Sequence, residues 1–303
     1  MHKHSLLLTG GTGFLGSNIK PLLENDYEVK TLGQSEKNDY CTNLCNDSDI
    51  KLNEKFNVVV HTAGKTRNDS GTAEENSKFY EINYNGTVNL CNALEDNLPD
   101  SFIFISTVAV YGCEKGINIS ETHPLNTASH YGKSKILAEE FLTGWSIKHN
   151  INLIILRPSL IIGTNSSGNL GAMINAIRKG RYFCIGGGKA KKSFVLAENI
   201  AEVIPLLHKQ NKNGIYNICD TNSVSFRELE SLICSQLKCH MPLNIPLWIA
   251  RLLAVAGNLL GNNAPINYPK LRKITNDLTF SNKKLCSDLN WKPKELTEDY
   301  KFI

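Results

Sequence analysis

The sequence predicts a doubly wound α/β domain, in which helices cover both faces of a parallel β-sheet. Short, almost wholly apolar runs alternate with longer amphipathic segments through the first half of the chain, and this alternation is typical of buried parallel strands joined by helices. The predicted strands are Ser5–Thr9, Val29–Leu32, Val58–His61, Phe102–Ser106 and Asn152–Leu156. The predicted helices are Phe14–Glu24, Thr72–Asn97 and Ser129–His149.

The second half of the chain has a looser pattern. A segment rich in glycine, serine and asparagine, Gly163–Gly171, leads into a helix, and a further strand and helix are predicted within Ser193–His208. We therefore assign residues 1–165 to the sheet domain and residues 166–303 mainly to a smaller, mixed α/β domain that binds the substrate. Whether the chain later returns to the sheet stays open at this point.

Composition and charge argue against a nucleic-acid-binding protein and against a metal site. The 303 residues carry a net charge of +4, and the densest group of cations is Lys189–Lys192, so nucleic acid is not expected as a partner. The nine cysteines include no pair with zinc spacing, so reduced thiols and no metal site are expected.

Targeting and membrane signals are weak. The N-terminus enters an apolar strand without the long apolar region of a signal peptide, so a cytoplasmic location is expected. The most apolar stretch, Ile245–Leu260, is too short to span a bilayer and contains Arg251, so a membrane is not expected as a partner.

A glycine-rich turn lies directly between the first predicted strand and the first predicted helix. Gly11, Gly13 and Gly16 match the spacing G-x-G-x-x-G, which lets the backbone approach a pyrophosphate. The helix N-terminus adds free N–H donors and the positive end of a dipole. We therefore predict a dinucleotide-binding Rossmann fold. The residues expected at the cofactor here are Gly10, Gly11, Thr12, Gly13, Phe14, Leu15 and Gly16.

The end of the second strand should indicate which dinucleotide is bound. In NAD-binding folds an Asp or Glu at this place holds the adenosine ribose. Here the strand runs into Gly33, Gln34 and Ser35 without an acid, and Ser35 and Lys37 are candidate partners of a 2′-phosphate. The choice between NAD and NADP stays open.

Tyr131 and Lys135 form the predicted catalytic pair. They are four residues apart at the start of a helix, so both side chains lie on one face. A tyrosine titrates near pH ~10 and becomes a useful base only when a nearby cation stabilises its phenolate. Thr107, which ends the fourth strand, offers a hydroxyl for the same substrate oxygen. The competing interpretation pairs Lys135 with Glu139 instead.

Several motifs occur in the order and spacing of the extended short-chain dehydrogenase/reductases. They are Thr9–Gly16 (TGGTGFLG), Ser106–Gly112 (STVAVYG), Tyr131–Lys135 (YGKSK) and Leu156–Pro158 (LRP). Three shorter segments are also similar to motifs of that family, namely His61–Gly64, Asn83–Thr87 and Trp291–Pro293. More narrowly, the chain resembles the NAD-dependent epimerase/dehydratase family, whose members act on nucleotide sugars. The resemblance implies a role in the synthesis of polysaccharide precursors.

The resemblance also implies roles for individual residues. Thr107, Tyr131 and Lys135 would be the catalytic triad, with Lys135 also holding the nicotinamide ribose. Further cofactor contacts are implied for Asn43, Leu44, Ala63, Gly64, Lys65 and Asn83, although Asn43 stands where the family often has an aspartate. Substrate contacts are implied for Thr107, Asn169 and Lys192. Lys192 either contacts the diphosphate of the substrate or is a solvated residue of the lysine-rich loop.

Two positions bear on the reaction itself. Dehydratases that resemble this chain carry Asp-Glu directly after the catalytic threonine, whereas this chain has Val108 and Ala109. We therefore expect a C4-epimerase of a UDP-hexose or UDP-N-acetylhexosamine that works through a 4-keto intermediate. The alternative is an NADPH-dependent 4-ketoreductase of a nucleotide-activated deoxysugar. A more remote alternative is a non-catalytic dinucleotide-binding sensor or structural subunit.

Three predicted helices leave alternatives open. Thr72–Asn97 and Ser129–His149 either form a homodimer interface, as the family often does, or bury their apolar faces within one monomer. Pro246–Leu260 is apolar around much of its circumference. We expect it to be a core helix, and the alternative is a lid over the substrate.

Overall fold

The computed structural model describes residues 3–46, 50–66, 72–164, 168–259, 264 and 266–302. The strands of these residues are β1 (His4–Thr9), β2 (Tyr27–Gly33), β3 (Tyr40–Cys41), β4 (Val58–His61), β5 (Ser101–Ile105), β6 (Gly116–Ile119), β7 (Asn152–Pro158), β8 (Leu160–Ile162), β9 (Phe183–Ile185), β10 (Lys191–Lys192), β11 (Phe194–Leu196), β12 (Gly214–Ile218), β13 (Val224–Ser225), β14 (Leu243–Ile245) and β15 (Leu278–Phe280). The α-helices are α1 (Phe14–Leu23), α2 (Ala73–Tyr80), α3 (Gly86–Ala93), α4 (His130–His149), α5 (Gly168–Arg178), α6 (Ala197–Lys209), α7 (Phe226–Leu237), α8 (Leu247–Leu259), α9 (Tyr268–Thr275), α10 (Lys283–Leu289) and α11 (Leu296–Asp299).

The central sheet has seven parallel strands in the order β12-β7-β5-β4-β1-β2-β3. Successive side chains of β1 enter two different cores: Leu6 and Leu8 pack with residues of α1 and α6, whereas Leu7 packs with residues of α3 and α4. Because side chains alternate along a strand, both faces of the sheet are buried under helices. The predicted doubly wound α/β fold is confirmed.

The chain does return to the central sheet after residue 165. Strand β12 pairs in parallel with β7, and α6 packs beside α1 on one face. The return was one of two alternatives from the sequence, because the run Gly214–Ile218 has a polar Asn217 in its middle and gives a weak strand signal. Asn217 is buried, and its side chain bonds Tyr111 and the carbonyl of Ile119.

The remaining elements form a smaller mixed α/β unit. It contains a four-stranded sheet in the order β13-β10-β15-β6 and two short strand pairs, β11–β8 and β14–β9. Helices α5 and α7 pack against each other over a separate core. This core includes Ile162, Ile177, Phe194, Leu229 and Ile233.

The predicted helix Thr72–Asn97 is not continuous. Thr72 caps α2 by accepting a hydrogen bond from the Glu75 N–H, and a π-helical turn, Glu81–Asn85, separates α2 from α3. Such turns are frequent at functional sites. This one carries Asn83, which is buried. Helices α2 and α3 both contact α4 within the monomer, and homodimerisation stays a prediction.

The expected core helix Pro246–Leu260 contributes to a core with one face only. In α8 the buried positions are small, namely Ala250, Ala254 and Gly257, whereas the large side chains of Trp248 and Leu252 are 64% and 63% exposed. The apolar pattern predicted the helix but not which of its faces is buried. Among the helices that the structure describes, none is both long and apolar enough to cross a membrane.

Candidate active site

The glycine-rich turn lies at the carboxyl end of β1 and enters α1. The Gly10 N–H donates to the Leu32 carbonyl (2.8 Å), and the Gly13 N–H donates to the Gly10 carbonyl (2.9 Å). A Cβ atom at Gly16 would lie 2.2 Å from the Gly10 oxygen, so only glycine permits this close packing of helix on turn. No side chain caps α1 at Gly13, which leaves its first N–H groups for an anion.

A residue that the sequence reasoning missed lies beside this turn. Asn38 is 7% exposed, and its Nδ2 donates to the Ser35 carbonyl (2.8 Å), while its Oδ1 is buried without a hydrogen-bond partner. A Cβ atom at Gly33 would lie 3.1 Å from Asn38 Nδ2, and one at Gly11 would lie 3.6 Å from Asn38 Oδ1. A buried, unsatisfied acceptor here fits a ligand hydroxyl. The tight turn, the open helix N-terminus and this acceptor together fit a bound dinucleotide.

The neighbouring Asp39 is turned away from that position. Its carboxylate accepts from the N–H and the hydroxyl of Thr31 (2.8 and 2.9 Å). Burial alone would raise the pKa of Asp39, but the Thr31 bonds and the Lys30 ammonium outweigh it and hold the pKa below its usual range. Asp39 therefore fastens its own loop to β2. Asp39 is therefore not placed to select NAD over NADP at the end of β2.

His61 fixes the loop that follows β4. Thr87 donates its hydroxyl to the Asn83 carbonyl (2.7 Å) and therefore accepts from His61 Nε2 (3.0 Å), so Nδ1 accepts from the Thr9 hydroxyl (2.6 Å). Burial, and then the charge of Lys135, lowers the pKa of His61 to about 3. The ring is therefore neutral. The Thr9 oxygen in turn accepts from the Ala63 N–H (3.2 Å), which holds this loop beside the glycine turn.

Asn83 joins the same loop to the catalytic helix. Its Oδ1 accepts from the Lys65 N–H (2.7 Å), and its Nδ2 donates to the Lys65 carbonyl (3.0 Å) and to Ser134 Oγ (2.9 Å). The Lys65 side chain points to α2, where it forms an ion pair with Glu75 (3.0 Å). A Cβ atom at Gly64 would lie 2.9 Å from Asn83 Oδ1 and 3.4 Å from Lys135 Nζ. The π-helical turn thus positions the buried amide against Lys65 and Ser134.

Two other cofactor positions lie farther along this side of the sheet. The Asn43 side chain accepts from Gln34 Nε2 (2.9 Å) and from the Cys45 N–H (3.1 Å). Leu44 is buried and lies against Gly86, and its carbonyl accepts from Asn89. Both residues therefore pack between β2 and the start of α3.

The structure brings Thr107, Tyr131 and Lys135 together at the carboxyl end of β5. Tyr131 lies in the first turn of α4, with the Thr107 side chain next to its hydroxyl. Burial raises the pKa of Tyr131, and the Thr107 hydroxyl opposes that effect. The Thr107 oxygen also accepts from the Ala109 N–H (3.1 Å), which fixes its rotamer.

Lys135 is 3% exposed and does not pair with Glu139. Its Nζ donates to the Ile105 carbonyl (2.9 Å) and lies 4.5 Å from the centre of the Phe104 ring. Burial lowers the pKa of Lys135 to about 8, although the charge of Glu139 acts in the opposite direction. The ammonium therefore keeps its charge at neutral pH and stands one helical turn from Tyr131.

Glu139 belongs instead to a buried network beneath the site. It accepts from Ser106 Oγ and forms a two-point ion pair with Arg157, whose Nε lies 3.1 Å from Glu139 Oε1. Arg157 also donates to the Tyr111 hydroxyl (3.1 Å), which donates to Asn217 (2.7 Å). The network joins α4 to β5, β7 and β12. The motif Leu156–Pro158 marked Arg157 in the sequence, but it did not indicate that Glu139 is the partner of Arg157.

Lys192 and Asn169 are the two further residues expected to contact the substrate. Lys192 is 7% exposed on β10, where its Nζ donates to the Asn276 carbonyl (3.0 Å). The interpretation of Lys192 as a solvated loop residue is therefore wrong. Asn169 falls in the first turn of α5, and its side chain lies outside the described residues. In the described part of the chain, no group of three or more His, Cys, Asp or Glu residues could hold a metal ion.

The chain is similar to proteins of known activity over most of its length. The model of the NAD dependent epimerase/dehydratase family matches residues 6–219. The chain is 32% identical over 248 residues to N-acetyl-alpha-D-glucosaminyl-diphospho-ditrans,octacis-undecaprenol 4-epimerase of Escherichia coli O157:H7, covering 78% of this chain and 74% of that protein. It is 29% identical to UDP-glucose 4-epimerase of Vibrio cholerae, covering 97% and 92%. The solved UDP-N-acetylglucosamine 4-epimerase of Bacillus cereus has the same fold, with a TM-score of 0.76, 22% identity and coverage of 97% and 92%.

Proposed function

We propose that this chain, which belongs to the NAD-dependent epimerase/dehydratase family, is a C4-epimerase of a UDP-hexose or UDP-N-acetylhexosamine. Membership makes it an enzyme that uses NAD or NADP. The observation that carries the proposal is the position of Thr107, Tyr131 and Lys135 at one end of β5, next to a turn built for a dinucleotide.

Tyr131 would act as the base for the sugar hydroxyl. Its phenolic oxygen lies next to the Thr107 side chain, so a substrate hydroxyl placed between the two would be held by both. Tyr131 accepts the O4 proton as the C–H bond at C4 breaks, and it returns the proton when the opposite configuration forms. When bound, the nicotinamide supplies the acceptor for the C4 hydride and gives it back.

Lys135 would make Tyr131 acidic enough for this role. A buried tyrosine alone is a poor base, because burial raises its pKa. The Lys135 ammonium, held by the Ile105 carbonyl, stabilises the phenolate by charge. We propose that the same ammonium binds the nicotinamide ribose. Cofactor contacts are proposed for Gly10–Gly16, Asn43, Leu44, Ala63, Gly64, Lys65, Asn83, Tyr131 and Lys135.

The side chains next to Thr107 and Lys135 favour epimerisation over dehydration. Loss of water from a 4-keto sugar needs an acid and a base beside C5 and C6. The turn after Thr107 presents Val108 and Ala109, which carry no titratable group. Glu139, the acid nearest in sequence to Lys135, is already held by Arg157 and Ser106. Among the described residues, Val108, Ala109 and Glu139 therefore supply no free acid or base for dehydration.

The proposed substrate is an anionic sugar diphosphate. Lys192, buried on β10, would contact the diphosphate as a single charge, and Asn169 on α5 would contact the nucleotide. The two curated relatives described above are named as 4-epimerases of sugars carried by UDP or by undecaprenyl diphosphate. Both carriers present a diphosphate next to the sugar, which is the group that Lys192 would contact.

A 4-ketoreductase is the second candidate, and one observation favours it. Gly33, Gln34 and Ser35, at the end of β2 and just after it, include no acid that would repel the 2′-phosphate of NADPH. A reductase consumes its cofactor at each turnover, whereas an epimerase regenerates it in place.

The cofactor content of the purified protein separates these two functions. We expect about one NAD per chain, measured by mass spectrometry and absorbance after the protein is denatured, because the epimerase cycle never needs to release it. An empty site that prefers NADPH on titration would favour the ketoreductase. Failure to bind either dinucleotide would contradict both.

A further inference from the structure

Helix α8 presents a row of large apolar side chains to solvent. Trp248, Leu252, Val255 and Leu259 are spaced by four, three and four residues, so they form one stripe along the helix. Their exposed fractions are 64%, 63%, 53% and 90%. Single exposed apolar residues are ordinary on protein surfaces, but a continuous stripe of four is not.

The packing of the opposite face fixes this orientation. Ala250, Ala254 and Gly257 are buried, and a Cβ atom at Gly257 would lie 1.9 Å from the Ile266 carbonyl oxygen. The buried face packs on α9 through Leu271. Only small residues fit this contact, so the helix cannot turn its large side chains inward without losing it.

The segment of chain that carries the stripe is basic. Residues 231–276 contain no Asp or Glu, and they include Arg251 on α8 together with Arg272 and Lys273 on the adjoining α9, all three exposed. Arg272 lies 3.8 Å from Glu114, which is itself 60% exposed, so this ion pair is weak. The segment that carries the apolar stripe therefore has exposed cations, one of them on α8 itself, and no acid.

We propose that the outer face of α8 docks on the surface of an anionic lipid bilayer. A tryptophan and three aliphatic residues on one side of a helix, with basic residues beside them, are typical of helices that lie in the membrane interface. The 13 residues of α8 are too few to span the hydrocarbon core. The proposal differs from the prediction that no membrane is a partner. That prediction rested on the length of the segment, and the outward face of α8 is visible only in the structure.

A second copy of the chain fits this face less well. The outer face of α8, about 20 Å long and about 10 Å wide, covers about 200 Å², whereas each partner in a stable interface buries about 800 Å². Two copies of α8 placed face to face would also bring Arg251, Arg272 and Lys273 of both chains together without acids to balance them. An anionic surface removes both difficulties.

Vesicle binding by the full-length protein tests the proposal. We expect the wild-type chain to sediment with vesicles of equal parts phosphatidylglycerol and phosphatidylcholine, and to bind pure phosphatidylcholine vesicles far more weakly. Replacing Arg251 and Lys273 with glutamine should weaken binding about fivefold for each cation. Trp145 and Trp291 are much less exposed than Trp248, so a blue shift in tryptophan emission on binding should disappear in Trp248→Phe.

A matched pair of surface variants gives the sharpest comparison. Leu252→Glu with Leu259→Glu should lower vesicle binding more than tenfold, because two inserted side chains become charged. Ile147→Glu is the control, since Ile147 is 76% exposed on α4 and lies outside α8. All these residues are exposed, so circular dichroism and NAD binding should not change.

Three results would overturn the proposal. The first is no binding of the wild-type chain to either vesicle, and the second is equal binding by the Leu252→Glu, Leu259→Glu variant. The third is that the wild-type chain binds no vesicles but self-associates in sedimentation velocity, and that the Leu252→Glu, Leu259→Glu variant does not self-associate. That result would assign the outer face of α8 to a second copy of the chain. None of these measurements depends on the reaction that the enzyme catalyses.

Discussion

Tyr131→Phe should lower kcat by about 10²- to 10⁴-fold, the range expected when a positioned acid–base group is removed. The phenyl ring keeps its contact with Phe79, whose ring centre lies 5.9 Å away, so the site should keep its shape. The lost hydroxyl takes with it the proposed base for O4, next to Thr107. NAD content should stay at the wild-type level, since the glycine turn and Asn83 are unchanged. The measurement is steady-state turnover together with cofactor content.

Tyr84→Phe is the matched control for that experiment. Tyr84 lies on the π-helical turn, where its ring packs edge-on against Phe141 and away from the triad. We expect its kcat to stay within a factor of about two of the wild-type value. If Tyr131→Phe kept most of the activity, the proton would be taken by another group and the proposed role of Tyr131 would be wrong.

Arg157→Met should lower the free energy of unfolding by about 3–5 kcal/mol, the cost of leaving a buried charge without its partner. The side chains of Arg157 and Glu139 are 2% and 5% exposed. In the variant, the Glu139 carboxylate would lose its ion pair and keep the hydrogen bond from Ser106. The loss should appear as a lower denaturant midpoint in urea.

Two comparisons test whether the buried charge is the cause. Replacing both partners, Arg157→Met with Glu139→Leu, should recover a large part of the loss, because no unpaired charge remains. Lys55→Met breaks the ion pair with Asp100 at the surface, where both side chains are about half exposed, and should cost less than about 1 kcal/mol. A double variant as unstable as Arg157→Met would show that packing, and not charge, sets the cost.

The sheet was predictable because its strands are buried on both faces. The strand predicted as Ser5–Thr9 is observed as His4–Thr9, and the helix predicted as Ser129–His149 begins one residue later, with Ser129 as its N-cap. Near-continuous apolar runs, capping residues and a glycine turn are local signals, so they can be read without knowing the fold.

The parts that could not be predicted depend on contacts between distant residues. The spacing of Lys135 and Glu139 allowed an ion pair along α4, but Arg157, which comes from β7, takes the carboxylate. Asn38 has no motif, and its unpaired oxygen is visible only once β1 and β2 are side by side. For α8, apolar residues all around the helix left both faces as candidates, and the tight contact at Gly257 decides between them.

The most direct test of the proposed epimerase is to follow the hydrogen at C4. The purified enzyme is incubated with UDP-glucose and with UDP-N-acetylglucosamine, each deuterated at C4, without added NAD(P)H, and the products are analysed by NMR and mass spectrometry. The account predicts conversion of at least one of them to its C4 epimer, with the deuterium retained at C4, because the hydride leaves and returns within one site. No epimer from either sugar, or an epimer that has lost the deuterium, would contradict it.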